Sequence, residues 1–293
     1  MSRRPFILPI RAVVIFLLIV AALAVPLSFA MRARAVPGDP PGAAPTPAAA
    51  RPEPAFAVNR AELDPRVVRA LDALGGRFEN PALGRTLLFG TLTRHAGGSP
   101  ETAHVRVVRE LPDRLRYEER RGLEARVLGY DGGRGWSQRG EPNGEESALV
   151  ESLARDSVEH FVAGQAAGDA TRALGDHFRA DGGTDPSYAG PYYDILRVDD
   201  SFASGGQRGQ RPMLYYLDSR TGLPAKIVYE RGPAESRVRV EVEFSDWAEV
   251  AGQRYPRRVT RRENGDVTLE LQITQALFAP AARDGSFDPP GAR

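Results

Sequence analysis

From Arg237 to Phe244 the chain alternates without a break. Val238, Val240, Val242 and Phe244 fall on one parity, and Arg237, Arg239, Glu241 and Glu243 on the other. Residues 267–274 repeat the pattern, with Val267, Leu269, Leu271 and Ile273 against Thr268, Glu270, Gln272 and Thr274. A period of two sends successive side chains to opposite faces, so these segments predict strands with one dry and one wet face. Shorter β-prone runs precede them: TLLFGTLTRH, AHVRVVRE, DRLRYEER, EARVLGYD and YYDILRVDD. Turn signals at AGGSPE, LPD, GYDGGRGW, GQ and ENGD separate the runs. The stretch YYLDSRTGLPAKIVYE, residues 215–230, reads as a hairpin around Asp218–Gly222, with Gly222 free to take a positive φ. Successive turns with few long connections predict an antiparallel meander, and there is no βαβ alternation or internal repeat.

Two stretches change period. In AELDPRVVRALDALGG, Leu63, Val67, Val68, Leu71 and Leu74 share a helical face. Asp64 is placed to cap that helix, Pro65 to occupy its first turn and Gly75-Gly76 to end it. Residues 145–162 predict one further helix with Val150, Leu153, Val158 and Phe161 on a stripe, and the Gly/Ala/Asp-rich residues 163–190 predict irregular chain.

Residues 12–30 carry no charge and follow Arg3, Arg4 and Arg11. That length falls within the roughly 17–25 residues of a membrane span and exceeds a usual signal-peptide core. Ser28-Phe29-Ala30 offers a cleavage site, yet Arg32 and Arg34 follow it at once, which favours an uncleaved signal anchor over a cleaved signal peptide. Residues 36–54 are rich in Pro and Ala and predict an extended tether. The expected organisation is a signal anchor or signal peptide at 1–35, a linker at 36–55 and a folded module at 56–293. The module is expected in the cell envelope: held at the inner membrane on the periplasmic side, or periplasmic if the segment is cleaved.

Composition removes several alternatives. With 39 basic and 38 acidic residues the net charge is +1, and no polyelectrolyte attraction to nucleic acid is expected. Cysteine is absent, which excludes disulfides, thiol catalysis and lipid attachment through an N-terminal Cys. No G-x-S-x-G, H-E-x-x-H or phosphate-loop sequence occurs. His95 and His104 flank one turn with Glu101 nearby, a looser arrangement than zinc or copper sites use. Arg257-Arg258 and Arg261-Arg262 suggest an anionic-lipid patch, but strand alternation splits each pair between faces. A cross-strand ladder with Glu241, Glu243 and Glu270 is the expected role. No catalytic residue, metal or cofactor is expected.

A long antiparallel sheet twists and curls, and its dry face must be covered. The helices either fill that space or leave an apolar cavity. Val240, Val242, Phe244, Leu269, Leu271 and Ile273 are the candidate cavity residues, and Val150, Leu153, Val158 and Phe161 the candidate lid; plain core packing explains each of them equally well. The fold class expected is α+β: a curved antiparallel sheet, an incomplete barrel, with helices across its concave apolar face.

The order of the segments adds a further reading. ALDALGGRFENPALGRTLLFGTL precedes RVVRELPDRLRYEE; VLGYDGGRGWSQRG, a helix and YYLDSRTGLPAKIVYE follow. VEVEFSDWAEVAGQRYPRRV and a last strand ending in LFAPAARDGSFDPP close the series. Across most of residues 60–290 this resembles the outer-membrane lipoprotein-carrier superfamily, the LolA/LolB-like group. The resemblance implies a half-barrel whose wall includes Tyr215, Leu217, Ile227 and Tyr229. It implies a non-enzymatic protein that takes a lipid acyl chain or a lipidated protein into the apolar cavity, for lipoprotein sorting or lipid transport. The alternative is a membrane-tethered interaction or envelope-stress sensor domain with a filled core.

Overall fold

The computed structural model describes residues 59–76, 83–95, 98–180, 183, 187–204, 207–280 and 287–288. The expected anchor (1–35) and linker (36–55) lie outside them. Among the described residues, no helix is long and apolar enough to cross a membrane.

The strands are β1 (Arg85–Arg94), β2 (Glu101–Glu110), β3 (Arg114–Arg121), β4 (Glu124–Asp131), β5 (Arg134–Ser137), β6 (Thr171–Arg179), β7 (Tyr192–Ser204), β8 (Gln207–Asp218), β9 (Pro224–Arg231), β10 (Val238–Val250), β11 (Gln253–Glu263) and β12 (Asp266–Ala279). They form one antiparallel sheet in the order β5-β4-β3-β2-β1-β12-β11-β10-β9-β8-β7-β6. Each strand lies beside its sequence neighbour except where β12 returns to β1 in the middle and where β5 and β6, the two edges, are joined through helices. The result is the expected α+β incomplete barrel.

Three helices cover one face: α1 (Pro65–Leu74), α2 (Gly144–Arg155) and α3 (Val158–Ala167). Helix α1 begins as its sequence dictates. The Asp64 carboxylate accepts from the Arg66 amide at 2.8 Å, Pro65 occupies the first turn and Gly75 ends the helix at φ +97°. Val67, Ala70, Leu71 and Leu74 face the sheet. Asn143 and Glu146 form a reciprocal capping box at the start of α2. The single helix expected over 145–162 is two helices. Ser157 breaks it by leaving helical geometry and accepting the His160 amide at 3.2 Å, which caps α3. The irregular stretch expected over 163–190 is ordered in part, since α3 runs to Ala167 and 171–179 pair as β6. Bulges near Gly175 and a positive φ at His177 disturb the alternation that would have announced that strand.

The 215–230 hairpin is β8–β9. The Asp218 carboxylate accepts from the amides of Arg220 (3.1 Å) and Thr221 (2.7 Å), which shapes the turn. Gly222 sits at φ +76°, and a Cβ there would lie 3.1 Å from Arg69 Cγ of α1. The turn thus needs glycine both for its backbone and for close approach to the helix. Tyr215, Leu217, Ile227 and Tyr229 are all buried on the helix-covered face.

Candidate functional site

The interface between helices and sheet gathers the apolar positions of every strand from β1 to β4 and β7 to β12 into one buried cluster with α1, α2 and α3. Val240, Val242, Phe244, Leu269, Leu271 and Ile273 lie on its floor, and Val150, Leu153, Val158 and Phe161 come down from α2 and α3. Register explains the floor: Leu271 stands opposite Leu92 on one side and Val259 on the other, and Val259 opposite Phe244. The Phe161 ring packs 4.7 Å from that of Tyr215, centroid to centroid. All ten side chains are buried.

The same interface is fastened by charge. Asp156, in the break between α2 and α3, reaches down to the sheet and pairs with Arg261 of β11. The Tyr229 hydroxyl donates to the other Asp156 oxygen at 2.8 Å and accepts from Arg261 Nη1 at 2.9 Å. Arg261 Nε donates to Glu263 at 3.1 Å, and Arg231 grips the same carboxylate at 2.7 and 2.8 Å. Burial alone would lower the Arg261 pKa, but Asp156 and its neighbours outweigh it and hold the guanidinium charged. Burial and the adjacent Asp156 carboxylate push the Tyr229 phenol well up. Burial would raise Glu263, yet Arg231 and Arg261 bring it below the usual carboxylate range.

Two further contacts hold the junction. Arg109 Nη2 of β2 donates to the Leu153 carbonyl of α2 at 3.1 Å, and burial lowers this guanidinium's pKa. His160 of α3 lies 2.9 Å from Asp200 of β7. Burial would raise Asp200, but the His160 hydrogen bond and the nearby cations hold it low. Beside these contacts a cavity of about 150 Å³ opens between the junction and the turns of β2–β3 and β4–β5, lined by Arg109, Asp113, Tyr130, Arg155, Glu159 and His160 among others.

Arg261 corrects the expected wet ladder. Arg262 lies 3.9 Å from Glu243 as the ladder expects, whereas Arg258 donates to the neutral Gln272 at 3.2 Å. Arg261 itself shares parity with Tyr255 and Val259 and stands in register with the buried Val242 and Leu269, which keeps it inside. That parity was the available signal. His95 Nε2 lies 3.4 Å from Glu270, and Glu101 pairs with Arg121. Among the described residues, no group of three or more His, Asp or Glu is arranged to hold a metal ion.

A second, larger hollow of about 930 Å³ lies where β8 and β9 part. Leu174, Leu214 and Val228 give it apolar walls, and Arg197, Arg211, Arg231, Arg237 and Arg239 surround it.

The geometry defines a class: an open antiparallel half-barrel whose apolar face is covered by helices. Several solved structures align with it. A domain described as an outer-membrane lipoprotein-sorting protein from Vibrio parahaemolyticus aligns at 11% identity, covering 75% of this chain and 97% of that one, with TM-score 0.48. A LolA superfamily protein from Nitrosomonas europaea aligns at 13% identity over 74% and 96%, TM-score 0.48. A DUF1329 family protein from Desulfovibrio piger aligns at 10% over 77% and 98%, TM-score 0.47. No family model and no curated protein matches the chain in sequence. What the chain binds is read from its own residues.

Proposed function

We propose that this chain is a non-enzymatic cell-envelope protein that takes an acyl chain, of a lipid or a lipidated protein, between its sheet and the α2–α3 pair. The carrying observation is the cover itself. A wide apolar face lies under two short helices whose junction is tied down by a few polar contacts: Asp156 to Arg261 and Tyr229, Arg109 to the Leu153 carbonyl, and His160 to Asp200. Water can replace such contacts when the helices lift, and the adjacent cavity of about 150 Å³ lies at the place where lifting would begin. Val240, Val242, Phe244, Leu269, Leu271 and Ile273 then form the floor, and Val150, Leu153, Val158 and Phe161 the lid. Burial of about 0.8 kcal/mol per methylene gives a gross gain on the order of 10 kcal/mol for one long chain, reduced by ordering costs. Residues 1–35 act as signal anchor or signal peptide and 36–55 as the tether that places the module in the envelope.

The burial of all ten candidates favours a second reading, an interaction or sensor domain with a filled core. One experiment separates the two. Residues 52–293 form one compact unit, so 56–293 are purified natively, extracted small molecules are identified by mass spectrometry, and uptake of a fluorescent fatty-acyl probe is measured. A stoichiometric lipid, with Leu271→Glu folded but unable to take up probe, is the expected result. A lipid-free protein that takes up no probe, and that Leu271→Glu unfolds, leaves the filled core.

A further inference from the structure

The larger hollow has a feature that an acyl site does not need: a strand edge. β8 pairs with β7 along its whole length, from Tyr193↔Asp218 to Ser204↔Gln207. Its pairing with β9 runs only from Leu217↔Pro224 to Met213↔Tyr229. Pro212, which has no N–H to give, stands where that ladder ends. Beyond it, Gln207–Pro212 has no strand on its β9 side among the described residues, and β9 turns off through Gly232 and Pro233. The hollow of about 930 Å³ occupies the space β9 vacates. Six residues of free edge offer about 20 Å of ladder.

The other edges of the sheet are less suited. β5 has four residues, and β6 is interrupted by register shifts at Gly175.

Charge and shape identify the occupant. Five arginines and one acid, Glu230, line the hollow. Arg197, Arg237 and Arg239 are about half exposed and engage Asp199, Glu230 and Glu241 in pairs open to solvent. Exposed pairs of this kind exchange partners at little cost. An incoming strand presents side chains alternately to two faces, and the apolar wall of Leu174, Leu214 and Val228 suits one of them.

We propose that the free edge of β8 takes up an acidic, extended peptide from a partner protein as an added strand, antiparallel to β8 and in the place β9 leaves. Main-chain hydrogen bonds to Gln207–Arg211 hold it, and Arg237 and Arg239 select acidic side chains. The proposal does not rest on the acyl-binding reading: the hollow shares Tyr229 and Arg231 with the polar network of the interface, but none of the floor or lid candidates lines it.

The test uses the full-length chain in detergent and a fluorescein-labelled octapeptide of alternating Glu and Val, read by anisotropy. Controls are the Lys-Val counterpart and a Glu-Val peptide with a central Pro. Saturable binding of the acidic peptide is expected, as for a small transient contact. Binding is expected to weaken at least tenfold with Lys for Glu, with the central Pro, and in Arg237→Glu/Arg239→Glu, whose exposed positions leave the fold intact. Failure of the acidic peptide to bind overturns the proposal. So does equal binding of the Pro peptide, which would make the contact purely electrostatic. Binding to phosphatidylglycerol vesicles in place of the peptide would assign the arginines to a lipid surface instead.

Discussion

Strand β10 buries Val240, Val242 and Phe244 and sends Arg239, Glu241 and Glu243 towards solvent. The α2–α3 junction, packed on the same sheet, buries Arg155, Asp156, Ser157 and Glu159. The first arrangement is held by apolar area, which is non-directional and shared among many contacts. The second is held by a few charged hydrogen bonds, each satisfied only while its partner is in place. The two regions should therefore fail differently: the floor by degrees as atoms are removed, the junction at once when one charge is lost.

The sharpest break comes from Arg261→Met. It leaves Asp156 buried without its cation, and loss of one partner from a buried pair typically costs about 3–5 kcal/mol. Urea unfolding should show a loss of that size. The double variant Arg261→Met/Asp156→Leu should recover most of it, since no charge is then stranded. If the single and double variants lose equal stability, the junction is held by packing and the contrast with β10 disappears.

Acid should act on the same polar contacts. Asp200 and Glu263 at the helix–sheet interface, and Glu119 with its Arg94, Arg121 and Tyr117 partners, are each pushed up by burial and pulled lower still by hydrogen bonds and cations. A carboxylate held low in the fold contributes stability above its unfolded pKa of about 4, and that contribution is lost as pH falls through its folded value. Asp113 runs the other way: burial and Asp131 raise it, so it disfavours the fold as pH rises through about 4. Thermal melts should fall steeply below about pH 4. Asp200→Asn should flatten that acid branch, and Asp113→Asn should raise the melting temperature above it. An acid branch unchanged in Asp200→Asn would show that this carboxylate is not held low.

On the floor, trimming should be gradual. Ile273→Val removes one buried methylene and should cost about 0.5–1.5 kcal/mol. A loss as large as that of Arg261→Met would mean the floor is no more tolerant than the junction.

The same contrast governs what the sequence made legible. β10 and β12 were plain because both faces obey one rule, apolar in and polar out. Asp64, Pro65 and Gly75 marked α1 because capping is local chemistry. The helix break at Asp156-Ser157 was missed because apolar spacing continues across it, from Leu153 to Val158 and Phe161. Which member of Arg261-Arg262 turns inward was left open, because a charge on a strand is ordinarily solvated and the buried partner of Arg261 is 105 residues away. β6 was missed because its bulges erase the period. The apolar residues of sheet and helices were readable as a set, since alternation and helical spacing name them. The contacts that fasten helices to sheet were not, because they join distant segments through residue types that sequence patterns assign to the surface.

The smallest expected effect is at the rim of the outer hollow. Arg237 Nη1 donates to Glu230 at 3.0 Å, a distance as good as many at the junction, but both side chains are more than half exposed. Water solvates either partner when the other is removed, so no charge is stranded and the gain from pairing is mostly offset by side-chain ordering. Arg237→Ala should change stability by less than about 0.5 kcal/mol, and a double-mutant cycle with Glu230→Ala should give a coupling of the same size. Arg237 holds one acidic partner in solvent, whereas Arg261 holds Asp156, Tyr229 and Glu263 in the interior. A coupling at Arg237–Glu230 as large as that at Arg261–Asp156 would mean that burial is not what makes the junction abrupt.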